Sequence, residues 1–332
     1  MTVVHDALRA LPDHDATVAS ALRERAANIL RPGGAFARLD EIAVWMGAWQ
    51  RALTPIVRRP AAVLFAADHG VTSEGVSAYP ADVTAAMLAA FRAGRSTLDA
   101  LARVVGASVR VVDVGVGRPT ANLRTHAAMT PDSFAAAFTA GRAAVHDLET
   151  DLLVVGEMGI GNTTAAAALC ARLLGGDIAQ WVGRGTGIDD ATHRAKVAVV
   201  ADACERTATI DDPIEAFRHL GGHELAAMAG AFVEARHRSI PVLLDGYVAT
   251  AAMVPLWCVE PAVVAHCRAG HCSAEIGHRL VLDRFGLTPL LDLSLRLGEG
   301  SGAMAAVPLV VMACHALVDV PTFAEWFGDS TP

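Results

Sequence analysis

From Pro60 onward, short runs of consecutive apolar residues alternate with longer stretches in which apolar residues recur every three or four positions. The short runs have the length of buried strands, and the longer stretches have the period of helices. Because such strands are apolar on both faces, the pattern predicts an α/β fold, a mostly parallel sheet covered by helices. The predicted strands are 61–67, 108–114, 151–155, 240–244, 262–266 and 289–297, and the predicted helices are 81–105, 163–174, 191–204, 223–236, 247–256, 274–285 and 303–317.

The residues before Pro60 show helical periodicity only. One pattern begins after Asp15 and ends at 32–34, the sequence Pro-Gly-Gly, and a second helix is predicted over 36–57. We expect this region to contribute packing only, within the chain or against a partner subunit. The chain is therefore divided into a helical segment 1–58, which the end of the chain joins, an α/β catalytic domain 59–320, and a tail 321–332.

Composition narrows the class of protein. The chain has 332 residues, is 53% hydrophobic and carries a net charge of −8, which disfavours nucleic acid as a partner. Its N-terminus lacks the layout of a signal peptide. The uncharged run 301–318 contains Pro308, His315 and many small residues, so it is predicted to be a core helix rather than a membrane span. The six cysteines lie in apolar patterns, which is typical of reduced thiols in a cytoplasmic protein.

A glycine-rich turn follows the last predicted strand and carries one carboxylate, Glu299. The spacing Gly298-x-Gly300-x-x-Ala303, with Asp319 roughly 20 residues further on, is also found in dinucleotide-binding folds. Such a fold needs a further strand to carry the acidic residue, and few residues follow Asp319. A turn that needed only flexibility would not require a glutamate. We therefore predict a catalytic loop, with an ordinary tight turn as the alternative.

A second glycine-rich loop, 156–164, follows the strand predicted at 151–155. Its spacing is nearly that of a phosphate-binding P-loop, but Asn162 stands where the lysine is expected, which disfavours a nucleoside triphosphate with Mg²⁺. Free backbone N–H groups at the start of the next helix would still favour a monophosphate. Glu157 is predicted to face the same site. The alternative is a purely structural turn.

A third loop contains Gly183, Gly185 and Gly187 and is followed by Lys196, about two turns into the next helix. Together with the preceding loop it predicts a cradle for a monophosphate. A solvent-exposed lysine on a helix face is the alternative.

Polar residues also follow the strand predicted at 61–67. Asp68 and His69 fit an acid–base pair, metal ligands or a structural hydrogen bond, while Ser77 and Tyr79 could offer hydroxyls and an aromatic wall to a flat ligand or form an ordinary loop. The cysteines and histidines of 266–278 have no standard zinc spacing, so no metal is predicted.

These motifs occur in an order that resembles one known family. The segments are DHGV to SAYP (68–80), EMGIGNTT (157–164), GRGTGIDD (183–190), LDGYVATAA (244–252) and LLDLSLRLGEGSGA (290–303). They resemble nicotinate-nucleotide–dimethylbenzimidazole phosphoribosyltransferases, which act in the synthesis of the lower ligand of cobalamin. The likeness covers roughly residues 30–320. It implies a Rossmann-like parallel sheet, a small helical part from the chain ends, and a homodimer without membrane contact.

The resemblance also implies a reaction, the transfer of phosphoribose from nicotinate mononucleotide to 5,6-dimethylbenzimidazole with inversion. Glu299 matches the family's catalytic base, and Glu157 matches a second carboxylate that steadies positive charge on the ribose. No cofactor is implied, since the phosphate does not react. The implied binding residues are Gly159, Gly161, Asn162, Gly183, Gly185 and Lys196 for phosphate and ribose, and Ser77 and Tyr79 for the base.

The chain departs from the family pattern at a few positions. His223, Gly270 and Cys272 replace an aromatic residue, a serine and an arginine, and 94–99 replaces a segment of small residues. These departures bear on the acceptor base more than on the class of reaction. The alternatives are a relative that glycosylates another base or a phenol, and a catalytically silent nucleotide-binding subunit.

Overall fold

The computed structural model describes residues 2–185 and 187–328. Their strands form one parallel sheet with the order β2-β1-β3-β4-β5. The predicted α/β fold with a Rossmann-like parallel sheet is confirmed. The strand order reverses between β1 and β3, the position at which sheets of this order bind ligands. The strands are β1 Pro60–Ala67, β2 Ser108–Gly115, β3 Leu152–Met158, β4 Val242–Leu244 and β5 Cys267–Ala269.

Helices cover both faces of the sheet. Alternate residues of β1 point to opposite faces, so Val63 and Phe65 enter one apolar core while Ala62 and Leu64 enter the other. The described helices are α1 Thr2–Leu8, α2 Ala16–Asn28, α3 Ala37–Gln50, α4 Val83–Arg92, α5 Thr97–Val105, α6 Pro131–His146, α7 Asn162–Leu174, α8 Asp190–Arg206, α9 Pro213–Leu220, α10 His223–His237, α11 Tyr247–Ala251, α12 Val254–Val259, α13 Ile276–Phe285, α14 Ser301–Val318 and α15 Phe323–Phe327.

The strand predicted over 289–297 is wrong. This segment is irregular, and its one bridge in the described structure joins Leu291 to His271. Ser294 has φ +56°, which breaks the extended path, and Leu293 is 62% exposed. The alternating apolar residues had suggested a buried strand, but several of their side chains face solvent. The segment makes scattered backbone hydrogen bonds to the end of β5 and to the chain that follows it, such as Leu290 N to Ala269 O and Leu291 N to Gly270 O.

Other boundaries were also wrong. The strand predicted at 262–266 is a 3₁₀ turn, Pro261–Val264, and β5 begins after it. The helix predicted over 81–105 is two helices separated at Gly94, which has φ +65°, and the one over 247–256 divides into α11 and α12. The helix predicted over 36–57 ends at Gln50, because Arg51 turns into the left-handed region. Helices α6 and α9 were not predicted.

The two ends of the chain pack together. The Arg25 guanidinium on α2 donates hydrogen bonds to the carbonyl oxygens of Leu317, Val318 and Val320, and α3 packs against α14. By length and composition α14 could cross a membrane, but 56% of it is buried, against α3, α5 and the sheet. The division into 1–58, 59–320 and 321–332 stays a prediction, and residues 329–332 of the tail lie outside the described residues.

Candidate active site

A cavity of about 610 Å³ opens beyond the carboxyl ends of β1, β3 and β4. Its position is the reversal of strand order, where the loops of adjacent strands diverge and leave room for a ligand. Most of the residues singled out in the sequence line it, namely Ser77, Tyr79, Glu157, Gly159, Gly161, Asn162, Gly185, Lys196 and Glu299.

Glu157 is the second-last residue of β3, and Asn162 is the first residue of α7. The Asn162 side-chain amide donates a hydrogen bond to the Glu157 carboxylate across the turn. Gly161 makes this turn possible, because its φ of +96° is one that residues with a Cβ rarely adopt. Burial and the negative charges of Glu224 and Asp245 raise the pKa of Glu157 to about 8.

Glu299 lies at the start of α14 with φ +69°, and Gly300 follows with φ +82°. Such a conformation costs a residue with a Cβ about 1–2 kcal/mol. The loop packs directly on β3, since a Cβ built on Gly156 would lie 2.4 Å from the Glu299 carbonyl oxygen. A Cβ on Gly298 would lie 2.2 Å from the Glu157 carboxylate. The two glycine-rich motifs, far apart in the chain, therefore form one wall.

Asp245 holds the backbone that follows Glu299. Its carboxylate follows β4, is 1% exposed, and accepts hydrogen bonds from the backbone N–H groups of Gly300 (3.0 Å) and Ala303 (2.8 Å). His271 lies 3.3 Å from the same carboxylate. No role for Asp245 was predicted, although an aspartate followed by glycine directly after a buried strand was a usable signal.

Glu299 is well placed to exchange a proton near neutral pH. Its side chain is 8% exposed and lines the cavity. Burial, together with the negative charges of Asp245 and Asp99, raises the pKa of Glu299 to about 7. A carboxylate with such a pKa is a stronger base than an ordinary one, yet a large share of it is ionised at neutral pH.

Lys196 projects from α8 into the cavity wall and is 1% exposed, so the solvent-exposed alternative is wrong. Its ammonium donates hydrogen bonds to the Thr163 hydroxyl (2.8 Å) and the Gly183 carbonyl oxygen (3.2 Å). Burial lowers the pKa of Lys196 to about 8, against the opposing charge of Glu275. Gly183 thus contacts Lys196 through its carbonyl oxygen and does not line the cavity. Thr186, in the same loop, lies outside the described residues.

Ser77 and Tyr79 lie at the mouth of the cavity, beside Val83 and Met87. Tyr79 is 53% exposed, and its ring offers a flat apolar surface there. The mouth is therefore more apolar than the inner wall formed by Glu157, Glu299 and Lys196.

The residues considered as metal ligands make structural contacts instead. His69 forms a buried hydrogen bond with Glu224, and Asp68 accepts one from the Gly117 N–H. His278 accepts a hydrogen bond from the Ser273 N–H and contacts the Thr250 hydroxyl. Among residues 2–185 and 187–328, no group of three or more His, Cys, Asp or Glu side chains is arranged to hold a metal.

A parallel α/β sheet with one cavity lined by buried carboxylates of raised pKa and by a buried lysine defines an enzyme that acts on a small ligand. A family model described as "Phosphoribosyltransferase" matches residues 11–326. The chain belongs to the family of nicotinate-nucleotide–dimethylbenzimidazole phosphoribosyltransferases.

Several relatives are similar over nearly their whole length. Proteins named nicotinate-nucleotide–dimethylbenzimidazole phosphoribosyltransferase from Novosphingobium aromaticivorans and Cereibacter sphaeroides are 49% and 46% identical; alignments cover 96% and 95% of this chain and 94% of each relative. The crystal structure of CobT from Thermus thermophilus superimposes with a TM-score of 0.90 at 40% identity, covering 95% of this chain and 99% of that one.

Proposed function

We propose that the protein transfers the phosphoribosyl group of nicotinate mononucleotide to 5,6-dimethylbenzimidazole, giving α-ribazole phosphate and nicotinate. The single observation that carries this proposal is that Glu299 and Lys196 line the same cavity. One residue can accept a proton there while the other holds an anion. The names of the relatives supply the identity of the two substrates.

The chemistry requires one base and no acid. A lone pair of one benzimidazole nitrogen forms a bond to ribose C1′, while the bond from C1′ to the pyridinium nitrogen breaks and its electrons remain on nicotinate. The leaving ring loses its positive charge, so it needs no proton. The other benzimidazole nitrogen gives its proton to Glu299, and attack from the opposite face inverts C1′. A placed carboxylate base contributes roughly 10²–10⁴ in rate.

The phosphate would bind at the inner end of the cavity. Lys196 supplies a buried positive charge there, already oriented by Thr163 and Gly183. The N-terminus of α7, which follows directly on Gly161, adds partial positive charge that favours an anion. No step of the reaction requires Mg²⁺, because the phosphate is a handle for binding only.

The acceptor base would bind at the apolar mouth. Tyr79, Val83 and Met87 offer apolar surface to a flat ring, and Ser77 offers a hydroxyl. Stacking a flat ring on such surface removes both from water and orients the attacking nitrogen toward C1′.

Glu157 would steady the positive charge that develops on the ribose only when it is ionised. Its pKa of about 8 means that the unliganded enzyme at neutral pH holds this carboxyl mostly protonated. A bound pyridinium substrate brings a positive charge that favours the ionised form. Substrate binding and loss of the Glu157 proton are therefore coupled.

The same proposal includes a cytoplasmic homodimer. The apolar side chains of Leu293 and Leu297, 62% and 44% exposed, lie in the segment that leads to Glu299. Apolar surface of this kind beside a site is suited to a second copy of the chain. The helical segment 1–58 and the tail 321–332 are proposed to form one small unit beside the catalytic domain.

The experiment is incubation with nicotinate mononucleotide and a panel of bases, including adenine and p-cresol, with products read by mass spectrometry. We expect α-ribazole phosphate from dimethylbenzimidazole and release of nicotinate. A preference for another acceptor would change the substrate and keep the reaction. No transfer to any base would overturn the proposed function.

A further inference from the structure

A third carboxylate, Glu275, lines the same cavity and was given no role in the sequence. It stands at the N-cap position of α13, yet its side chain makes no hydrogen bond to the backbone of that helix. Its Oε2 atom is buried and has no hydrogen-bond partner. A buried carboxylate oxygen without a donor is costly, so this part-exposed side chain would gain by turning toward a ligand in the cavity that supplies a donor.

The surrounding backbone is shaped around this carboxylate. A Cβ built on Gly183 would lie 1.8 Å from Glu275 Oε2, so glycine at this position leaves the room that the carboxylate occupies. The Gly183 carbonyl oxygen in turn accepts a hydrogen bond from Lys196. Glu275 is therefore held next to the cradle proposed for the phosphate.

A negative charge beside that cradle opposes the binding of a phosphate. It would equally repel the carboxylate of nicotinate. Two parts of the nucleotide attract a carboxylate. One is the pyridinium, whose charge is assigned above to Glu157, and the other is the ribose, whose 2′ and 3′ hydroxyls are hydrogen-bond donors attached to the same sugar as the phosphate. Carboxylates accept hydrogen bonds from vicinal sugar hydroxyls readily, as in dinucleotide sites.

We propose that Glu275 binds the 2′ and 3′ hydroxyls of the donor ribose and so orients C1′ between the attacking base and the leaving ring. This inference rests on the proposed function, because it takes nicotinate mononucleotide as the donor. Glu275 is then a substrate-binding residue, and the enzyme prefers a ribosyl donor over a deoxyribosyl one.

The test pairs the enzyme with altered donors. Wild type, Glu275→Gln and Glu275→Ala are assayed with nicotinate mononucleotide and with its 2′-deoxy and 3′-deoxy analogues. A hydrogen bond to a charged group makes loss of one hydroxyl cost about 10- to 100-fold in kcat/KM for wild type. In Glu275→Ala the same deletion is expected to cost less than about threefold, because the partner is already gone. Glu205→Gln removes an exposed carboxylate of α8 and is the matched control, expected to behave as wild type.

The outcomes separate the two proposals. An equal cost of each hydroxyl deletion in wild type and Glu275→Ala would overturn the role of Glu275, even with full transferase activity. If Glu275 acted only on Lys196, its loss would affect nicotinate mononucleotide and leave the phosphate-free nicotinate riboside unchanged, which would also overturn it. Isothermal titration measures the affinities of the same nucleotides for wild type and Glu275→Ala. This comparison requires no turnover, so it can be made even where no acceptor reacts. Absence of transfer by wild type would sink the proposed function alone.

Discussion

Two segments bring carboxylates to the cavity, and they are built in different ways. Glu157 belongs to a regular strand, β3, and the turn after it leads straight into α7. Glu299 ends an irregular segment in which two non-glycine residues, Ser294 and Glu299 itself, have positive φ. The first carboxylate is placed by local backbone structure. The second is held in a strained conformation by contacts from β3 and from Asp245.

The two carboxyls also differ in the number of negative charges around them. Glu157 faces more carboxylates, since Glu224, Asp245 and Glu299 all raise its pKa, which reaches about 8. The pKa of Glu299 is raised to about 7. Both carboxyls therefore have a pKa raised toward neutrality, and the one proposed as the base is the one held by strain and by contacts from elsewhere in the chain. Stored strain at a residue of this kind is a common feature of functional sites.

The largest expected effect separates the two carboxylates by function. Glu299→Gln keeps the size of the side chain and removes the base, so kcat should fall by roughly 10²–10⁴. Affinity for nicotinate mononucleotide should change little, because Glu299 acts on the acceptor. Steady-state kinetics and isothermal titration measure the two quantities.

Glu157→Gln is the matched variant for this comparison. Its loss in kcat should be smaller, since Glu157 steadies charge without accepting the proton of the acceptor, and the glutamine can still accept the hydrogen bond that Asn162 donates. Full turnover in Glu299→Gln, or an equal loss in both variants, would contradict the assignment of the base to the strained segment.

The structure of the two segments was not equally predictable from the sequence, because one is determined by local signals and the other by distant contacts. The strand at 61–67 and the turn at 156–164 follow from local signals, an apolar run and a glycine–asparagine helix start. The segment 289–297 has an apolar alternation too, but its conformation is set by a positive φ at Ser294 and by partners distant in the chain. Its prediction as a strand failed for that reason.

The sequence analysis also missed residues whose roles depend on contacts with distant parts of the chain. Asp245 and Glu275 are unremarkable in sequence, one after a short strand and one before a helix. Their importance lies in what they contact, the backbone of Gly300 for Asp245 and the space over Gly183 for Glu275. Lys196 was recognised only together with the glycine loops, since buried lysines have no local signature.

The pH dependence of kcat/KM gives a second, smaller effect. Glu299 must be ionised to accept a proton, so kcat/KM should fall about tenfold for each pH unit below its pKa of about 7. Asp245→Asn removes a negative charge that raises this pKa, so the acidic limb should move to lower pH. Glu157, with a pKa of about 8, adds its own titration to this limb in wild type, so Glu157→Gln should remove that contribution and leave the fall that begins near pH 7.

The control for this experiment is the substrate itself, whose phosphate also loses a proton near pH 6. That contribution is common to all variants and cancels in the comparison. Because Asp245 also raises the pKa of Glu157, the two carboxylates are told apart by Glu157→Gln: loss of the whole limb in that variant would assign the base to the regular strand instead.

The smallest effect tests the backbone directly, through the stability of paired alanine and glycine variants. At position 157, within a strand, glycine should be less stable than alanine by about 0.5–1 kcal/mol. At position 299, with φ +69°, alanine bears a cost of about 1–2 kcal/mol that glycine avoids. Against this, the greater entropy of glycine in the unfolded chain costs about 0.4–1 kcal/mol, so the free energy of unfolding of Glu299→Gly should exceed that of Glu299→Ala by up to about 1.6 kcal/mol. Because each pair lacks the carboxylate, its charge and burial drop out of the difference.

Urea unfolding measures both differences, and their signs should be opposite. Lower stability of Glu299→Gly than of Glu299→Ala would mean that residue 299 does not hold a left-handed conformation in solution.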